Sequence, residues 1–163
     1  MRRTLGILSV ALLALWLTAI PASASGTWAW PLVGPIIRSF DPPDNPYGSG
    51  HRGIDIAAPA GTMVRAPADG VVSFAGSVGG HLFVTIDHGG GLLSTASFLS
   101  ERLVRKGDRV IQGQPIARSG SGHPGDLRTD LHFGVRLNGT YVDPLDYLTP
   151  LNVVDLIRLA SIF

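Results

Sequence analysis

Two short stretches carry side chains able to grip a metal ion. The first is His51-Arg52-Gly53-Ile54-Asp55. His and Asp are both zinc ligands of suitable length. They lie four residues apart, so on a strand they share a side. Four residues of straight strand cover about 13 Å, too far for two ligands of one ion. The chain must therefore curl, and Gly53 permits it. Alone, such a pair is equally an ordinary surface pair. The second stretch runs from Asp130 to Leu137. Leu131, Phe133, Val135 and Leu137 read as the core face of a strand. Asp130, His132, Gly134 and Arg136 form its opposite face. His132 then stands off the apolar face with only Gly beside it. That places it over an open groove, or simply in solvent.

These stretches need a scaffold, and the rest of the chain reads as short strands joined by tight turns. The chain has 21 Gly and 12 Pro among 163 residues, and only 15% of it is charged. Such a composition favours many strands and turns. Asp41 to Gly50 (DPPDNPYGSG) is dense in turn residues and predicts a surface loop. Turn signals recur at Gly61, Asp69-Gly70, Asp87 to Gly91, Lys106-Gly107-Asp108 and Gln112-Gly113. Asn138-Gly139 predicts a two-residue hairpin turn. No long helical period precedes Thr149. Leu151 to Phe163 is apolar except for Asn152, Asp155, Arg158 and Ser161. That tail is a short element packed on the domain or a membrane-surface helix.

The chain contains no cysteine. That removes disulfides, a thiol nucleophile and thiolate-bound zinc, so any metal must use His, Asp or Glu. Arg2 and Arg3, the apolar run Leu5 to Ile20 and Ala22-Ser23-Ala24 together predict an export signal cleaved after Ala24. Its apolar run is shorter than the roughly 20 residues of a membrane span. Without Arg2 and Arg3 the formal charge falls from +1 to −1. No basic patch points to nucleic acid. The expected organisation is a signal over 1–24, one domain over 25–148 and a tail over 149–163.

Several motifs then agree in order and spacing. HRGIDIAAPAGTMVRAPADGVVSFAG, IDHGGGL, LVRKGDRVIQGQPIARSGSG and DLHFGVRLNGTYVDPLDYL resemble the lysostaphin/LytM-type zinc endopeptidases. The resemblance covers roughly Trp30 to Leu148. It implies an all-β fold, a compact antiparallel sandwich or half-barrel with an open groove. It also implies that zinc is held by His51, Asp55 and His132. Three protein ligands leave a fourth tetrahedral position open, the pattern of a catalytic site. The implied substrate is the peptide of bacterial peptidoglycan.

Two departures from that family matter. Its His-x-His reads here Asp130-Leu131-His132, and its Tyr-x-His-Leu reads Ala96-Ser97-Phe98-Leu99. The resemblance assigns both lost histidines to proton transfer and transition-state stabilisation. Such help contributes typically about 10²–10⁴-fold in rate. Asp130 shares a face with His132 and is the candidate replacement base. It is equally a partner orienting His132, or a bystander.

Other residues carry weaker signals. His88 reads as a turn residue holding backbone groups. His81 follows Gly79-Gly80 and borders the groove. His123 lies in a Gly/Pro-rich loop and reads as solvent-exposed. Arg52 and Arg136 suit substrate carboxylates, or plain surface roles. VRAPADGVV and VRKGDRVIQGQPIA also resemble biotinyl and lipoyl carrier half-barrels, but the only lysine, Lys106, is not at the modified position. Two functions follow: an impaired, secreted zinc endopeptidase acting on the cell wall, and a peptidoglycan-binding or hydrolase-regulating module that keeps its zinc site.

Overall fold

A computed structural model describes residues 28–45, 48–122 and 129–151. The predicted signal, His123 and the tail beyond Leu151 lie outside these residues. Ten strands follow in chain order: β1 (Ile36–Arg38), β2 (Ile54–Ala57), β3 (Met63–Arg65), β4 (Gly70–Val78), β5 (His81–Asp87), β6 (Leu92–Arg102), β7 (Arg109–Val110), β8 (Pro115–Ser119), β9 (Asp130–Leu137) and β10 (Thr140–Val142). A single 3₁₀ turn, Pro144–Asp146, is capped by the Asp143 carboxylate accepting from Leu145 N–H. There is no α-helix among the described residues, and none long and apolar enough to cross a membrane. The all-β antiparallel expectation holds.

The sheet runs β1-β2-β9-β6-β5-β4-β7 and does not close. β10 extends it from β9, while β8 joins β6 to β3. Its hairpins use the turns written in the sequence. Asn138 and Gly139 have φ of 50° and 86° between Leu137 and its partner Thr140. Two positive φ values in a two-residue loop match the right-handed twist of the flanking strands.

The core lies under one face. Ile54, Ile56, Val64, Val84, Ile116, Leu131, Phe133 and Val135 are all buried there. Leu137, expected among them, is instead 38% exposed because β9 ends beside it in the hairpin. Near the chain ends, Trp28 pairs in parallel with Leu148. Thr149 N–H donates to Trp28 O, and Trp30 Nε1 donates to Thr149 O.

β6 positions the site, and it does so by breaking its own alternation. Leu92, Ser94 and Ala96 face the core, while Leu93, Thr95 and Ser97 face the groove. Beyond Phe98 the parity flips, so Leu99 is buried. Leu82 pairs with Leu99 and Val84 with Ala96, so β6 spends one residue more than β5 over this stretch. Such a bulge re-aims side chains. At the same point β6 exchanges its partner, from β9 up to Ser97 to β8 from Leu99. Phe98 takes up the kink with φ 58°, a left-handed conformation costing a non-glycine residue about 1–2 kcal/mol.

His88 links the first hairpin to the core. Its Nδ1 donates to Asp69 O at 2.8 Å and its Nε2 accepts from the Ser94 hydroxyl at 2.8 Å. Trp28 packs 4.4 Å from its ring. The expected role of holding backbone at a turn is met. Burial lowers its pKa from the ordinary 6.5, against the pull of Asp69 and Asp87. The neutral ring is the folded form, so the unfolded chain takes up its proton first as pH falls. The contribution of His88 is complete above pH 6.5 and shrinks as pH drops towards the lowered folded pKa. In urea unfolding at pH 7.5, His88→Ala loses about 1–3 kcal/mol, because it strands the buried Ser94 hydroxyl and uncovers Trp28. At pH 5.5 the gap between variant and parent narrows. A gap that widens on acidification removes this assignment.

Candidate metal centre and groove

β2 and β9 pair antiparallel with Asp55 directly opposite His132. Opposed residues project from the same face, so the two ligands meet by register alone. His51 arrives differently. It lies outside β2, in a bridge with Asp41 in which each backbone N–H donates to the other's carbonyl. Strand parity, the expected reason for His51 and Asp55 sharing a side, does not apply to it. The chain bends at residues 52–53 instead. Gly53 is required there for space: a Cβ would stand 2.4 Å from Phe133 O and 3.0 Å from His132 Cε1.

The result is a tight trio. His51 Nε2 lies 2.9 Å from Asp55 Oδ1, and His132 Nδ1 lies 2.8 Å from the same oxygen. The two imidazole nitrogens are 3.1 Å apart. His51 and Asp55 are 3% and 1% exposed, so water does little to separate these groups. Among the described residues this is the one set of three metal-ligand side chains whose donor atoms all lie within 4.8 Å.

The donor chemistry fits a cation. Ser39 O lies 2.7 Å from His51 Nδ1. A carbonyl only accepts, so Nδ1 carries the proton and a neutral ring presents a lone pair at Nε2. That lone pair faces a carboxylate oxygen and a second imidazole nitrogen. A cation placed among these three atoms meets one donor atom from each residue. Donors on one tetrahedral zinc sit about 3.3–3.5 Å apart, so the trio needs to spread by about 0.2–0.7 Å. The Ser39 carbonyl also fixes ring tautomer and orientation, the usual task of a group behind a metal-bound His. The sequence offered no signal for Ser39.

A groove of about 650 Å³ opens beside the trio. His51 and His132 stand at one end, and Phe83 and Phe98 form an aromatic wall. The Phe98 ring lies 6.2 Å from that of His132, 5.8 Å from Phe83 and 5.2 Å edge-on to His81. His81 thus borders the groove by packing against Phe98. Asp130 is on the expected strand and pairs with Ala57. Its side chain is 1% exposed and lies against Gly122, where a Cβ would meet Asp130 Oδ1 at 2.6 Å. It joins neither the trio nor the groove walls.

Comparison with known proteins gives the family and the fold. The model of peptidase family M23 matches residues 49–144, which include all three candidate ligands. The murein hydrolase activator NlpD of Escherichia coli is 38% identical over 133 residues, covering 80% of this chain. The matched stretch is only 33% of that relative's length. The antimicrobial peptidase lysostaphin from Staphylococcus simulans superposes with a TM-score of 0.65 at 27% identity, over 77% of this chain and 55% of that one. A zinc-containing peptidase from Vibrio cholerae gives the same TM-score at 28% identity, over 77% of this chain and 41% of that one.

Proposed function

Because the chain belongs to peptidase family M23, we propose that it is an exported zinc-holding domain that binds bacterial peptidoglycan and regulates its hydrolysis more than it performs it. One observation carries this reading. The metal trio is complete, yet Phe98 occupies the wall of the groove where the resemblance calls for a proton-carrying histidine. Zinc, held by His51, Asp55 and His132, would supply Lewis acidity towards a peptide carbonyl and acidify a bound water. The chain's own residues do less. No Asp, Glu or third His lines the groove among the described residues. Tyr141 does line it, with the Arg136 guanidinium 5.5 Å above its ring. Binding is therefore better provided for than proton transfer. The activator role of NlpD supports the regulatory side.

The intact trio keeps a second reading open, slow endopeptidase action. Of the three roles weighed for Asp130, burial favours the positioning one. Its carboxylate is buried at the start of β9, two residues before His132, and does not line the groove. Asp130→Asn then weakens zinc retention more than it alters any proton-dependent step.

The test uses the zinc-loaded full chain with purified wall sacculi. The expected result is co-sedimentation, with release of wall peptides no faster than from a chelator-treated sample. Zinc-dependent release at ordinary enzyme rates replaces this reading with the peptidase one. Failure to sediment removes wall binding altogether.

A further inference from the structure

The groove has one sign of charge. Arg38, Arg52 and Arg136 line it, and no carboxylate does among the described residues. Asp55, the anion between the two histidines, is 1% exposed and lies against both. We infer that the groove receives a peptide ending in a free carboxylate, seated against Arg38 and Arg52 beside the metal trio. The inference rests on the wall-peptide binding proposed above and names which end of the peptide is recognised.

Register supports the placement. Arg38 pairs with Asp55 across β1 and β2, and Asp55 with His132 across β2 and β9. Paired Cα atoms lie about 4.5–5.5 Å apart, so Arg38 rises from the strand beside the trio. Arg52 directly follows His51. Two guanidiniums line the metal end of the groove, where such a fork matches a carboxylate's two oxygens, and Arg52 Nη2 also donates to Gly48 O at 3.3 Å. Zinc held by the trio would add positive charge at the same end. Arg136 is four residues beyond His132 on the same strand face, about 13 Å away. An extended chain of about four residues spans that distance.

The floor between these ends suits a peptide backbone. Thr85 Oγ1 and Thr95 Oγ1 lie 3.0 Å apart on neighbouring strands, and Ser73 Oγ donates to Thr85 O. Ser97 continues the row towards His132, its strand partner. Hydroxyls both donate and accept, so they serve amide N–H and C=O alike. Phe83 and Phe98 leave an apolar side for a small side chain near the carboxylate end.

The experiment compares acetyl-lysyl-D-alanyl-D-alanine as free acid and as carboxamide, by calorimetry with the zinc-loaded full chain. The acid binds about tenfold tighter, as a charge-assisted pair does over a neutral one. Arg38→Gln with Arg52→Gln removes the preference while zinc content is unchanged. Arg136→Gln weakens acid and amide alike. Arg118→Gln, an equal charge change at a residue paired with Glu101 outside the groove, alters neither. Equal affinity for acid and amide overturns the inference, as does a preference surviving the double replacement. So does inorganic phosphate competing as well as the acid, which would mark a general anion trap. Loss of peptide binding by a protein that still sediments with sacculi sinks this inference alone. Loss of sedimentation sinks the wall-binding reading beneath it.

Discussion

Zinc raises the unfolding temperature of this protein, and Asp55→Ala abolishes the rise. A ligand that binds only the folded state stabilises it by RT ln(1 + [L]/Kd), about 4 kcal/mol at a thousandfold excess over Kd. That corresponds to a shift on the order of 10 °C for a domain of this size. Asp55 is the hub of the trio, since its Oδ1 contacts both His51 Nε2 and His132 Nδ1. Its loss removes one ligand of three and the anion that balances the ion's charge. His51→Ala has the same sign. The Asp55 variant also unfolds earlier in chelator, because the buried His51 and the partly buried His132 lose their shared partner. Paired melts in zinc and in chelator read both effects. Superimposable melts for the parent protein would falsify metal binding by the trio.

The sequence made the ligands legible and hid their surroundings. In β9 a strict alternation exposed Leu131, Phe133 and Val135 as core and His132 as the other face, because a strand has a period of two. The Asn138-Gly139 turn was equally plain, since few residues accept positive φ twice in succession. The trio itself emerged from motif resemblance, not spacing. Two ligands came from opposing strands, and β-pairing register over 77 residues leaves no local trace. His51 misled in detail, because residue spacing suggested one strand where the chain places a bridge and a bend. Gly53 is needed less for conformational freedom than for room beside Phe133 O. Strand parity with His132 makes Asp130 the candidate base, yet its side chain is buried against Gly122 and does not line the groove. The bulge in β6 was the largest gap. LSTASFLSER contains no Gly or Pro to announce it, and the exchange of partner strands that causes it is a tertiary event.

That bulge makes Phe98→His the substitution with the largest expected gain. The backbone at Phe98 already has the conformation that turns its side chain into the groove, so the imidazole enters a prepared position. Left-handed backbone suits His better than most large residues, being several-fold enriched there. The exchange therefore costs little conformationally. It does remove apolar contact with Phe83, while leaving a ring for His81 to meet edge-on. What enters is a proton carrier facing His132, whose ring is 6.2 Å from the one replaced. General acid–base help of this kind contributes about 10²–10⁴-fold, and Phe98→His raises zinc-dependent release of wall peptides by an amount in that range. Wall binding changes little, because Arg38, Arg52 and the hydroxyl floor are untouched. Asp130→His is the poorer companion: Gly122 already crowds Asp130, and a larger ring there overpacks the start of β9. The assay is peptide release from sacculi by Phe98→His and by Phe98→His combined with His51→Ala. Gain in the first and its loss in the second identify a hydrolytic frame that has kept its metal ligands and lost a proton carrier. If the single variant binds zinc and sacculi as the parent does yet releases nothing more, the deficit lies elsewhere in the groove and Phe98 is not its cause.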